Sequence, residues 1–115
     1  MAWKVLFDDN FAAWLSDLEP DVTDAILAQV ELIRERGPQL GRPFADTVAG
    51  STFSNMKELR VQFCGEPWRI LFAFDPDRAA ILLVGGNKRG DKRWYKTWIP
   101  LADERFRRHL DDRTE

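Results

Sequence analysis

Three apolar segments in a row, separated only by short turns, constrain this chain more than any other feature. In residues 57–63, Leu59, Val61 and Phe63 alternate with Glu58, Arg60 and Gln62. A period of two predicts a strand with one apolar face. Gly65-Glu66-Pro67 reads as a turn. In residues 68–74 the even positions are all apolar, while Arg69 shares the other face with Leu71 and Ala73. Asp75-Pro76-Asp77 reads as the next turn, and residues 79–84 are apolar on both faces, as in a strand covered from two sides. Parallel strands need long crossovers, so these short links predict an antiparallel meander.

The flanking segments supply helices. Trp3 to Phe7 suits a first strand, and Asp8, Asp9 and Asn10 supply a helix N-cap. Phe11, Trp14, Leu15 and Leu18 share one helical face. Pro20 restarts the chain as proline does in a first helical turn. Val22, Ile26, Val30 and Ile33 form a second stripe, which Gly37-Pro38 ends. Residues 38–55, with Pro38, Gly41, Pro43 and Gly50, read as a surface connection. Gly85-Gly86-Asn87 is expected to end the last strand. A final helix, broken near Pro100, would bury Trp98, Ala102, Phe106 and Leu110. The order β-αα-βββ-α predicts one α+β domain over residues 1–115, a mainly antiparallel sheet covered by helices.

Charge is uneven along the chain. The net charge is −2, yet residues 1–56 carry a net −5 and residues 57–96 a net +4. An acidic protein with a basic middle is not a general nucleic-acid coat, but it can hold a local anion site. The lone cysteine, Cys64, has no partner for an internal disulfide, which suits a reduced, cytoplasmic setting. One cysteine and one histidine make no ordinary zinc site, so no metal or other cofactor is expected. No apolar run approaches the ~20 residues of a membrane span. Trp3, Trp14 and Trp98 read as core, and His109 as an exposed helix residue.

The densest chemical cluster runs from Asn87 to Lys96, with Lys88, Arg89, Lys92 and Arg93 followed by Trp94 and Tyr95. Cations attract phosphates, and aromatic rings stack on unpaired bases. A solvated helix start would have a similar composition. Arg69 adds weight, because a long cation inside an apolar strand must reach solvent or an anion. Arg60 lies on the preceding strand, and its plain alternative is a surface pair with Glu58 or Glu66.

Met56-Lys57-Glu58-Leu59-Arg60, Pro67 to Phe74, Leu83 to Lys88 and Lys92-Arg93-Trp94-Tyr95 occur in one order. Together they resemble the phage-derived, HigB-type branch of the RelE/ParE toxins, over about residues 3–112. The resemblance implies a small RelE-like fold and the toxin of a type II toxin–antitoxin system. Its activity would be ribosome-dependent cleavage of messenger RNA by the RNA's own 2′-hydroxyl, without metal. Its partners would be a cognate antitoxin, often a helix-turn-helix DNA-binding protein, with the ribosome and mRNA. By position, Arg69, Arg89 and Tyr95 match the family's catalytic residues. Lys57, Arg60, Lys88, Lys92 and Arg93 fall where RNA and phosphate would be held. Glu58 stands where the best-studied branch carries a lysine, which leaves the proton acceptor open. Lys92 and Arg93 are expected to lower the Tyr95 pKa. The alternatives are a ParE-like inhibitor of DNA gyrase, and a catalytically inactive antitoxin-binding or repressor component.

Overall fold

A computed structural model describes residues 2–113. The elements are β1 (Lys4–Phe7), α1 (Asp9–Ser16), α2 (Pro20–Arg36), a 3-10 turn (Gly37–Gln39), β2 (Ala45–Thr47), β3 (Lys57–Phe63), β4 (Glu66–Phe74), β5 (Ala79–Asn87) and α3 (Trp94–Arg113). They form a five-stranded sheet in the order β1-β5-β4-β3-β2. The meander β3-β4-β5 is antiparallel as expected, and β1 joins β5 in parallel. The α+β class holds, with one strand more than expected.

Local chemistry sets the element ends. The Asp8 carboxylate accepts from the Asn10 and Phe11 amides at 2.9 and 3.1 Å, which caps α1. Such a cap stabilises a helix by about 1 kcal/mol. Pro20 opens α2 in its first turn. At the end of α2, Gly37 has φ 57°, and a Cβ there would lie 2.3 Å from the Trp3 indole nitrogen. Both conformation and space therefore require glycine.

The β3–β4 turn is tighter than the sequence suggests. Cys64 and Gly65, with φ 51° and 76°, make a two-residue hairpin turn of the kind that matches strand twist. Glu66 and Pro67 belong to β4. At the other end, Gly85 and Gly86 continue β5 instead of ending it. Their lack of a side chain serves packing: a Cβ on Gly85 would meet the Trp14 ring at 2.2 Å, and one on Gly86 the Trp94 ring at 2.6 Å. Within residues 38–55, Ala45–Thr47 pairs with Leu59, Glu58 and Lys57 of β3, so the segment is partly a strand.

Two cores lie on the two sides of the sheet. Leu59, Val61, Ile70, Phe72 and Leu82 pack against Phe11, Ile26, Val30 and Ile33 of α1 and α2. Leu71, Ala73, Ile81, Leu83 and Val84 pack against Trp94, Ile99, Ala102 and Phe106 of α3. The α3 stripe is thus turned from the expected one. Ile99 is buried where Trp98 was expected, and Trp98 is 37% exposed. Trp3 and Trp14 are half-buried at the core margins. The helix is not broken at Pro100 but continues through it. Pro100 and Lys96 are both exposed, so water can satisfy the Lys96 carbonyl that Pro100 cannot.

The far end of α3 is tied to the β4–β5 turn. His109 is not free on the surface: its Nε2 lies 2.7 Å from Asp75 Oδ2, and it stacks on Phe106. Arg113 pairs with Asp77 at 2.8 Å, and Arg105 donates to the Leu83 carbonyl at 2.7 Å. Among the described residues, no helix is long and apolar enough to cross a membrane, and no group of acidic, histidine or cysteine side chains could hold a metal ion.

Candidate functional site

The site follows from the strand register. The two-residue turn pairs Arg60 with Arg69 and Glu58 with Leu71. Glu58, Arg60, Gln62 and Arg69 therefore share the α3 side of the sheet. Glu58 and Arg69 are diagonal neighbours, within reach of long side chains. The α3 helix covers this side over Leu71, Ala73 and Ile81, and its first turn sits over Gly86, the partner of Arg69 in β5. The charged group lies at the margin of that cover.

At its centre, Glu58 links the other two members. The Tyr95 hydroxyl donates to Glu58 Oε1 at 2.5 Å, and Arg69 Nε lies 3.3 Å from the same oxygen. The side chains of Arg69 and Glu58 are only 7% and 11% exposed. A buried pair of this kind needs further hydrogen bonds to offset its desolvation. Arg69 makes one, from Nη1 to the Trp68 carbonyl at 3.0 Å. Its Nε pairs with the Glu58 charge out of hydrogen-bond alignment and has no hydrogen-bond partner. A guanidinium carries five N–H groups, so this one is under-satisfied and directly opposite a second cation, Arg60. Arg60, Arg69, Gln62 and Pro43 line a cleft of about 230 Å³. Two arginines facing each other across a strand pair repel, and an anion between them would reverse that repulsion.

Burial pushes the Tyr95 phenol above its ordinary value, the Glu58 hydrogen bond and charge add to this, and Arg69 opposes it. The direction overturns the expected lowering by Lys92 and Arg93, whose side chains are exposed. Tyr95 is thus a protonated donor at neutral pH, not a phenolate base. Lys88 Nζ stands 5.9 Å from the Tyr95 ring centroid, which brings one more expected cation to the group.

Other expected residues lie apart. Arg89 is held at the hairpin turn, 2.6 Å from Glu66 Oε2 and 2.8 Å from the Gly65 carbonyl. Its side chain is 63% exposed. Alternation puts Lys57 on the Leu59 face, toward α1 and α2, away from Arg69. Trp94 is buried against Gly86, so its ring is closed to stacking on a base. A cavity of about 340 Å³ between α1 and α3 touches Trp94 but neither Tyr95, Glu58 nor Arg69. The residue that sequence reasoning underrated is Glu58. Its strand alternation placed it on the Arg69 face, but only the tighter turn fixes the register that joins them.

The fold and this cluster define a small sheet-based protein with cationic side chains gathered around a buried carboxylate at one margin of the sheet. The chain matches the phage-derived protein Gp49-like family (DUF891) over residues 13–107, and it belongs to that family. It is 47% identical to a candidate toxin, HigB2 of Mycobacterium tuberculosis, over 104 residues, covering 89% of this chain and 52% of that protein. It is 52% identical to a second, HigB3 of the same organism, over 93 residues, covering 80% of each. The chain thus spans about half the length of the first relative and four-fifths of the second. The free-state structure of a double arginine-to-alanine variant of the E. coli toxin RelE has the same fold. That comparison has a TM-score of 0.59 at 12% identity and covers 82% of this chain and 92% of RelE.

Proposed function

We propose that this protein is the toxin of a type II toxin–antitoxin pair, and that it cleaves messenger RNA on the ribosome. The carrying observation is the contact of Glu58 with both Tyr95 and Arg69 in one cation-lined group. Kinship with the HigB-type toxins supports the toxin role.

The group contains what 2′-hydroxyl attack needs: a proton acceptor, a proton donor and cations for the transition state. Glu58 is the carboxylate in position to take the 2′ proton. The 2′-oxygen then bonds to phosphorus, and the bond from phosphorus to the 5′-oxygen breaks. Tyr95, held as a phenol, gives its proton to that leaving oxygen. The products are a 2′,3′-cyclic phosphate and a 5′-hydroxyl. The proton gained by Glu58 returns to Tyr95 along their hydrogen bond, which restores both groups. Arg69, Arg60 and Lys88 stabilise the charge that builds on the phosphoryl oxygens. Arg89, Lys92 and Arg93, at the exposed turn, hold the RNA backbone outside the reacting centre. An antitoxin and the mRNA-bearing ribosome are the partners this reading requires. The ribosome would supply the substrate alignment on which so sparse a site depends.

The test is induction of the protein in cells, followed by primer extension on abundant messages. Cleavage in reading frame, lost in Tyr95→Phe and Glu58→Gln, is the expected result. Growth arrest with intact mRNA and trapped gyrase–DNA complexes would overturn the reading.

A further inference from the structure

We propose that the cavity between α1 and α3 takes an extended segment of another polypeptide, added as a short strand to the unpaired outer edge of β5. The segment would carry one bulky apolar side chain with acidic residues after it. The proposal stands apart from the cleavage reading, because the cavity, of about 340 Å³, touches none of Tyr95, Glu58 and Arg69.

The open edge follows from the register. β1 ends at Phe7, opposite Leu82, while β5 runs on to Asn87. Past Leu82 no strand lies beside β5, because the chain turns at Asp8 into α1. The pairing of β4 with β5 shifts by one residue between Leu71 and Phe72. Leu82 and Leu83 therefore both turn their carbonyls outward. The first accepts from the Asp8 amide at 3.0 Å and the second from Arg105 at 2.7 Å. Beyond this bulge the Lys88 amide donates to the Pro67 carbonyl at 3.1 Å. By alternation Val84 and Gly86 bond to β4, and Gly85 and Asn87 point their N–H and C=O groups away from it. Among the described residues, none is a hydrogen-bond partner to those four groups. Gly85 is half-buried, so its pair is partly shielded from water as well.

A second strand supplies what these groups lack. Gly85 and Asn87 stand roughly 7 Å apart along one edge. Each offers a donor and an acceptor side by side, which is the pattern that strand addition uses. Phosphate oxygens would meet the two N–H groups and leave the two carbonyls unmet, so a nucleic-acid backbone fits less well. The walls are aromatic. Trp14 closes over Gly85 and Trp94 over Gly86, and Trp98, 37% exposed, stands at the mouth with Leu101. A single large apolar side chain beside the strand would fill this space. Charge sets the direction. Past Asn87 the chain carries Lys88, Arg89, Lys92 and Arg93 against one acid, Asp91. The segment should therefore bear its acidic residues on the side that leaves the cavity there.

The experiment is amide hydrogen exchange of the full chain, read by NMR, with blocked peptides Ser-Val-X-Val-Thr-Asp-Glu-Asp in which X is Phe, Trp, Leu or Asn. The Gly85 and Asn87 amides should exchange fast in the free protein and slow at least several-fold with the Phe, Trp or Leu peptide. The Asn peptide should bind weakest. Two further peptides carry N-methyl groups on one or the other alternate set of backbone nitrogens. One set should abolish the protection and the other should keep it, since only one edge of the added strand faces β5. Trp98→Ala and Lys92→Glu should each weaken binding several-fold, with the amide spectrum reporting that the variants are folded. An oligouridylate of similar length tests RNA as the occupant. No slowing at Gly85 and Asn87 with any of the four peptides, equal binding by both methylated forms, or slowing by the oligouridylate alone would overturn the proposal. None of these readouts involves cleavage, so the two readings fail separately.

Discussion

Toward α1 and α2, the central strands turn Leu59, Val61, Ile70, Phe72 and Leu82, none more than 3% exposed. Toward α3, the same strands turn Leu71, Ala73 and Ile81 under the helix, and Glu58, Arg60 and Arg69 at its margin. Burial of one large apolar side chain contributes about 1.5–3 kcal/mol. A buried ion pair gains little over a well-packed apolar pair of the same size. The first side is therefore organised for stability. The second gives up stability to hold an under-satisfied arginine beside a carboxylate and a phenol. Such a concession is intelligible where charge must be ready before the substrate arrives.

The largest effects should separate the two sides. Phe72→Ala, on the packed side, should cost about 3–5 kcal/mol in denaturant unfolding. Arg69→Ala should cost a similar amount, about 3–5 kcal/mol, because it leaves Glu58 buried without its cation. The two differ in rescue. Adding Glu58→Gln to Arg69→Ala should restore most of the loss, while it should do nothing for Phe72→Ala. Equal behaviour of the two double variants would erase the distinction between the sides.

Next in size is Tyr95→Phe, which removes one hydroxyl and little else. Cleavage should fall about 10²-fold or more, while stability should change by only about 1 kcal/mol. Full cleavage by a folded Tyr95→Phe protein would take the phenol out of the reaction.

Tyr95 is the sole tyrosine, so its ionisation can be followed alone by ultraviolet absorbance. Its midpoint should lie above the ordinary tyrosine value of about 10 and move down in Glu58→Gln. The sign for stability follows. With the folded value raised, the unfolded chain loses the proton first as pH rises. Tyr95-linked stability is whole below pH 10 and declines above it as pH climbs through the folded value. The smallest effect belongs to Arg89→Ala: its pair with Glu66 is exposed, so the midpoint of denaturant unfolding should hardly move.

Much of the scaffold was legible because strand alternation, the Asp8 cap, Pro20 and Gly37 are local signals. What was not legible depends on contacts between distant segments. The strand at Ala45–Thr47 has three residues and exists by pairing with β3, not by its own pattern. The exchange of Ile99 for Trp98 depends on the helix's rotation against the sheet. Arg69, Tyr95, Arg60 and Lys88 were marked in advance, and the structure brings them together. Lys57 and Arg89 were marked too and stand apart. The contact of Glu58 with Arg69 and Tyr95 was hidden because register turns on whether the hairpin ends at Gly65 or at Pro67. The sign of the Tyr95 shift was misjudged for a related reason: sequence neighbours Lys92 and Arg93 point to solvent, while the spatial neighbour Glu58 lies 37 residues away.

The tie between His109 and Asp75 has a consequence for how faults would spread. It lies 14 residues along α3 from Tyr95, roughly 21 Å at 1.5 Å per residue. A rigid helix fixed at its distal end acts as a lever arm, and slack at the anchor becomes displacement at the tip. Damage to the turn at Asp75 would then blur the aim of a hydroxyl that it never touches, and distance along the molecule would give the site no protection.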